Sequence, residues 1–258
     1  MRRAARQRGR GSLVESARYD EDGNLAVKIL TLAASLALVI PAAMAPSAPR
    51  SQFDHLVVAV RSLDEGIAEF ERLTGVKPGV GGKHPGRGTE NALVSFGGGK
   101  YLEIIAPQPG ATLAPRDQEM LKLDRLRIIN WAVSVNDVGE AVATLKGAGF
   151  AATPPQPGSR VTPSGERLEW TTFGLADPAI AAAPFFINWS AATKHPSSTA
   201  PGGCALPELT IGDPASDRLS AALGALGVDG VTYAKGAVRI EARLTCGDRT
   251  ATLTTPPQ

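Results

Sequence analysis

The sequence predicts an α+β protein: two βαβββ modules pairing into a cupped, mostly antiparallel sheet, with a smaller carboxy-terminal α/β unit. Three observations carry this. β-branched runs alternate with helical periodicity through residues 52–190, as modules of about 52–110 and 126–190. The order of elements returns at an offset of 75 residues, His55 falling on Asn130. A weaker set of the same kind occupies residues 204–255.

Phe53–Val60 reads as a buried strand, uncharged after His55 and bounded by Pro- and Ser-rich sequence. Ser62 is placed to cap a helix, with Glu65 completing a capping box. Leu63, Ile67, Phe70 and Leu73 recur at helical spacing until Gly75. Gly81–Asn91 is turn-rich and reads as a loop. Ala92–Phe96 and Tyr101–Ala106 read as a hairpin joined at Gly97-Gly98-Gly99. In the repeat, Asn130–Val135 is the strand, Asp137 the helix cap and Gly149 the stop. Thr153–Gly165, rich in proline, reads as a loop before strands at Leu168–Phe173 and Pro184–Trp189. After a linker holding His195, a third and degenerate βαβββ set is expected, with its helix at Ala215–Leu226.

At 43% hydrophobic and 20% charged, the chain can bury a sizeable core. Its net charge of +2 is concentrated in Arg2, Arg3, Arg6, Arg8 and Arg10, so nucleic-acid binding through a basic surface is not expected. Residues 1–51 read as a disordered leader plus a signal or anchor. Lys28 precedes an apolar run, Ile29–Ala45, ending in Ala-Met-Ala. Three placements stay open: export to the periplasm or beyond, an amino-terminal membrane anchor, or the cytoplasm. Cys204 and Cys246 are the only cysteines. They are either a disulfide across the third unit, if the protein is exported, or two buried thiols.

Alternate strand residues share a face. His55 therefore points with Val57 and Ala59, Glu103 with Tyr101 and Ile105, and Asn130 with Ala132 and Ser134. On this reading His55, Glu103, Asn130 and Asn188 face one another across a pseudo-twofold. His55 is also readable as a core histidine satisfied by a carbonyl. Glu103, a carboxylate inside an apolar strand, needs a partner or a proton.

Gly81–Asn91 reads Gly-Gly-Lys-His-Pro-Gly-Arg-Gly-Thr-Glu-Asn, and Tyr101-Leu102-Glu103 follows. In these pieces, and over roughly Phe53 to Trp189, the chain resembles glyoxalase-like domains of the vicinal oxygen chelate (glyoxalase/bleomycin resistance/dioxygenase) superfamily. The resemblance implies a small-molecule ligand in the cup and a divalent metal (Mn, Ni, Zn or Fe) held by His and Glu at the four facing positions. Here two of those positions are asparagine, so the implied site is incomplete. His84 completes a set with His55 and Glu103, or serves as a pocket wall and hydrogen-bond donor, or is a surface histidine. Thr89 and Asn91 match the motif and either contact a polar ligand or fix the turn; Asn130 and Asn188 are further candidates for ligand contact. The chemistry implied is of lyase or isomerase type, with His55, Glu103 and His84 as catalytic groups. The alternative is a binding protein that sequesters a small molecule.

Overall fold

The computed structural model describes residues 51–256. The leader and the signal-like run fall outside the described residues.

The first module is β1 (Gln52–Ala59), α1 (Leu63–Thr74), β2 (Gly79–His84), β3 (Thr89–Gly97) and β4 (Lys100–Pro107). The second is β5 (Arg127–Ser134), α2 (Val138–Gly147), β6 (Gln156–Val161), β7 (Arg167–Gly174) and β8 (Phe185–Trp189). Both helices start as their sequences dictate. Ser62 Oγ accepts from Glu65 N–H, and Asp137 Oδ1 accepts from Glu140 N–H. Gly75 takes the left-handed conformation that ends α1.

The cup closes completely. The strands form a ring in the order β1-β4-β3-β2-β6-β7-β8-β5, and β5 returns to β1. Only β1 with β4 and β5 with β8 run parallel. Two stretches that read as loops are strands of this ring. Gly81–Asn91 is the β2–β3 hairpin, with His84 paired to Thr89. The proline-rich Thr153–Gly165 contains β6, which meets β2 through one pair, Lys83 with Val161. Glycine and proline mimic loop composition here, although the seam between modules is what places them.

The third unit keeps the expected order of elements but not the strand order of the other two modules. It has β9 (Cys204–Asp213), α3 (Ser216–Ala225), β10 (Thr232–Lys235), β11 (Arg239–Cys246) and β12 (Arg249–Thr254). That is the element order of a βαβββ set, but the sheet runs β10-β9-β11-β12. The opening strand β9 is interior here, whereas β1 neighbours the last strand of its module. Cys204 and Cys246 are paired across β9 and β11 and joined as a disulfide, a bond that persists in oxidising compartments.

Strand parity divides the side chains. Leu56, Val58, Leu102, Ile104, Trp131 and Val133 point outward into one core shared with Phe70, Leu145 and the third unit's Ile211 and Leu244. Burying each such side chain stabilises the fold by about 1.5–3 kcal/mol. Inside the ring, Val57, Ala59, Ile105 and Met120 form a small apolar plug. The polar residues lie beside it.

Candidate functional site

The parallel β1–β4 register sets His55 opposite Tyr101 and Val57 opposite Glu103. The His55 ring stacks on Tyr101 with centroids 4.4 Å apart, and Phe185 meets it edge-on at 5.4 Å. His55 Nε2 is 3.9 Å from Glu103 Oε2, and His84 Nε2 is 3.5 Å from Glu103 Oε1. The three side chains named from the sequence are therefore brought together in the wall of a cavity of about 1220 Å³.

Their outer atoms are held by Thr89 and Asn91, which were expected either to contact a ligand or to fix the turn. Thr89 is fully buried, with Oγ1 3.0 Å from His84 Nδ1. Asn91 is buried and donates from Nδ2 to Glu103 Oε1 at 2.6 Å. Neither lines the cavity; they support His84 and Glu103 from behind. Asn91 can do this because Gly81 has no side chain: a Cβ there would lie 2.4 Å from Asn91 Oδ1.

Asn188 borders the cavity, but its side chain is engaged elsewhere. Its amide donates to the carbonyls of Val135 and Asn136, each at 2.8 Å. A shift of one residue moves a side chain to the other side of a sheet. Val57 pairs with Glu103, and its counterpart Ala132 pairs with Phe185, so Phe185 is the true mirror of Glu103. Asn130 does line the cavity, but its Oδ1 accepts from Trp131 N–H at 2.8 Å.

Three further residues shape the site. A register shift between Phe53 and His55 breaks the alternation of β1, so adjacent Asp54 and His55 meet. Asp54 Oδ1 is 2.6 Å from His55 Nδ1. Asp54 Oδ2 lies 3.2 Å from both Trp189 Nε1 and His195 Nε2. His195, expected in an unconstrained linker, thus sits beneath the site, edge-on to Tyr101 and Trp189. The third is Arg160, buried in β6. The β1 sequence did hold one signal, an acid beside a histidine in an apolar strand, because a buried carboxylate demands donors.

Electrostatics fixes the protonation states. Burial pushes the Asp54 carboxyl up, but the hydrogen bonds from His195 and His55 outweigh it and hold the pKa below its ordinary value. Burial likewise pushes Glu103 up, and His84, His55 and the Asn91 hydrogen bond bring it below the usual carboxylate range. Burial holds His84 below its ordinary value, with Glu103 opposing only in part. Tyr101 is raised well above its ordinary value by burial, then by Asp54 and Glu103, and stays protonated. An ionised carboxylate only accepts hydrogen bonds. His55 Nδ1 therefore carries a proton towards Asp54, and its Nε2 faces Glu103 and the cavity. Neutral His84 turns Nε2–H towards Glu103 and accepts from the Thr89 hydroxyl at Nδ1.

The donor set does not fit the divalent ion that the resemblance implied. The mirror positions are an engaged amide and a phenyl ring, and Asn91 already donates to the carboxylate oxygen nearest His84. Among the described residues no three His, Cys, Asp or Glu side chains converge in a geometry that could hold a metal.

A ring of paired βαβββ modules with polar residues on its inward-facing strands is the architecture that the resemblance to glyoxalase-like domains implied. The chain belongs to the glyoxalase-like domain family, whose model matches residues 53–227. No curated protein matches the sequence. Among solved structures, a hypothetical protein from Staphylococcus aureus is similar at 14% identity and a TM-score of 0.53, covering 80% of this chain and 85% of its own. A hypothetical protein from Bacillus halodurans is similar at 19% identity, TM-score 0.42, covering 56% of this chain and 98% of its own. Methylmalonyl-CoA epimerase from Mycobacterium tuberculosis is similar at 18% identity, TM-score 0.37, covering 54% of this chain and 87% of its own.

The depressed pKa values make stability fall in one direction, towards acid. Between its folded and unfolded values such a group binds more protons unfolded, so stability rises with pH across that window. For His84 the loss begins below its ordinary value of 6.5. For Glu103 and Asp54 it begins below 4.5 and 3.8 and deepens as pH falls through the folded values. Melting temperature followed by circular dichroism is expected to decline in two stages on acidification. His84→Gln should remove the earlier stage and weaken the later one, because His84 is the largest influence holding Glu103 down; an unchanged first stage in that variant contradicts the assignment.

Proposed function

We propose that the protein is an enzyme that moves a proton at a carbon next to a carbonyl, in a small oxygenated metabolite held within the barrel. The observation that carries this reading is the Asp54–His55 pair at 2.6 Å, with Nε2 turned to the cavity beside Glu103. Asp54 orients the imidazole and fixes its tautomer. His55 Nε2 takes the proton from carbon as the C–H electron pair moves onto the carbonyl oxygen. Ionised Glu103 stabilises the imidazolium that forms. His84 Nε2–H is available to the developing oxyanion, and the proton returns from His55 to complete an isomerisation, or a leaving group departs in a lyase reaction. General acid–base groups of this kind contribute about 10²–10⁴-fold.

Solvent-deuterium exchange followed by proton NMR over a panel of 2-oxo acids and ketones tests the reading. At least one compound should exchange its α-proton above the uncatalysed rate, and His55→Gln should lower that rate by about 10²-fold or more. Exchange that persists unchanged in folded His55→Gln rules out the mechanism. A second reading, non-catalytic sequestration, draws support from the neutral mirror positions Asn130 and Phe185. It gains if a panel member binds and no exchange occurs.

A further inference from the structure

Arg160 is the cavity's buried cation without a carboxylate. It is the one buried residue of β6, only 4% exposed, and it lines the same cavity as His55, His84 and Glu103. Nη1 donates to the Gly81 carbonyl, and among the described residues no carboxylate forms an ion pair with it. Arg87, the other arginine near the pair, makes two hydrogen bonds of 2.8 Å to Asp117 and is neutralised there. Burial disfavours the Arg160 charge, and Glu103 compensates only in part. A buried, unpaired charge is costly to a fold, so its retention in a cavity wall needs a reason. A guanidinium offers five donors in a planar fork, and Gly81 engages one of its nitrogens.

We propose that Arg160 is the anion-recognition group of the cavity and that the ligand is an organic carboxylate with an apolar or aromatic body. The carboxylate sits on the guanidinium, and its body lies against Trp170, Trp189 and Phe185, which line the same space. Charge decides between carboxylate and phosphate. With Glu103 already ionised beside Arg160, every further negative charge in the cavity is repelled, so a monoanionic carboxylate is favoured over a phosphate dianion. That the carbon next to this carboxylate reaches His55 rests on the proton-transfer reading above; the recognition of the anion does not.

Calorimetric titration of the full chain with phenylpyruvate, its methyl ester and inorganic phosphate tests this. The acid is expected to bind about 10–100-fold more tightly than the ester, the range given by hydrogen bonds to a charged group. Arg160→Gln should abolish that preference, and Arg160→Lys should retain part of it. His55→Gln should keep the preference while losing proton exchange. Equal affinity for acid and ester, no binding of the acid, or tighter binding of phosphate overturns the proposal. So does an intact preference in folded Arg160→Gln. If Arg160→Gln does not fold, the acid-to-ester ratio of the unaltered protein decides. Acid preference without exchange removes the proton-transfer reading alone; exchange without acid preference removes this one alone.

Discussion

Asp54→Asn is expected to lower proton-exchange activity by about 10²–10⁴-fold and to destabilise the fold by about 3 kcal/mol. All three groups around Asp54 are donors: His55 Nδ1–H, Trp189 Nε1–H and His195 Nε2–H. His195 is fixed in that role because its Nδ1 accepts from Ser197 N–H at 3.3 Å. An ionised carboxylate satisfies all three. An amide has one accepting and one donating end, so some contact must become donor against donor. If the oxygen faces His55, the amino group meets both Trp189 and His195. If the amide flips, His55 must accept at Nδ1 and move its proton to Nε2, where it no longer serves as a base. Both outcomes are measurable. Nitrogen-15 NMR of labelled histidine reports the His55 tautomer, and denaturant unfolding reports stability. His195→Gln separates the two effects: it removes one donor, leaves the Asp54–His55 bond, and should cost only about 1 kcal/mol. An Asp54→Asn protein that is folded, active and unchanged in tautomer would falsify the assigned role of Asp54.

How much of this was legible in sequence follows from the range of each interaction. His55 and Glu103 were legible because alternation along two apolar strands put both on one face, and the parallel register brought them together. Asp54 was hidden because the same alternation sends residue 54 to the opposite face, and only a bulge, a tertiary event, turns it back. Asn188 borders the cavity with its amide taken up by the Val135 and Asn136 carbonyls. Nothing local in Phe185–Trp189 shows that pairing with β5 sets Phe185 at the register position matching Glu103. His195 approaches Asp54 across 141 positions of chain, from a segment with no periodicity to read. Arg160 lay in a stretch whose prolines and glycines read as a loop, although the stretch is a strand. Residue types within regular strands could be placed. Residues placed by a bulge, a linker or an inter-module seam could not.

That seam supplies the second large effect. Gly82→Ala is expected to destabilise the protein by about 2–6 kcal/mol, the sum of backbone strain and overpacking. Gly82 has φ of 134°, outside the range that a residue with a side chain adopts comfortably. An added Cβ would lie 2.1 Å from the Val161 carbonyl oxygen, a backbone atom with no freedom to rotate away. The ring is weakest at this point, since β2 and β6 are joined by the single pair Lys83 with Val161. Arg160 reinforces it through the neighbouring Gly81 carbonyl. The strain therefore relaxes by parting the strands rather than by shifting a side chain, and it displaces Arg160 as it does so. Hydrogen exchange should show protection lost first in Gln156–Val161 while α1 and β1 remain protected. Gly86→Ala is the control: φ is 74°, but its added Cβ would meet nothing within 4 Å. Backbone strain without the clash should cost about 1 kcal/mol. If both variants unfold at the same denaturant concentration, contact at the seam is not what closes the barrel.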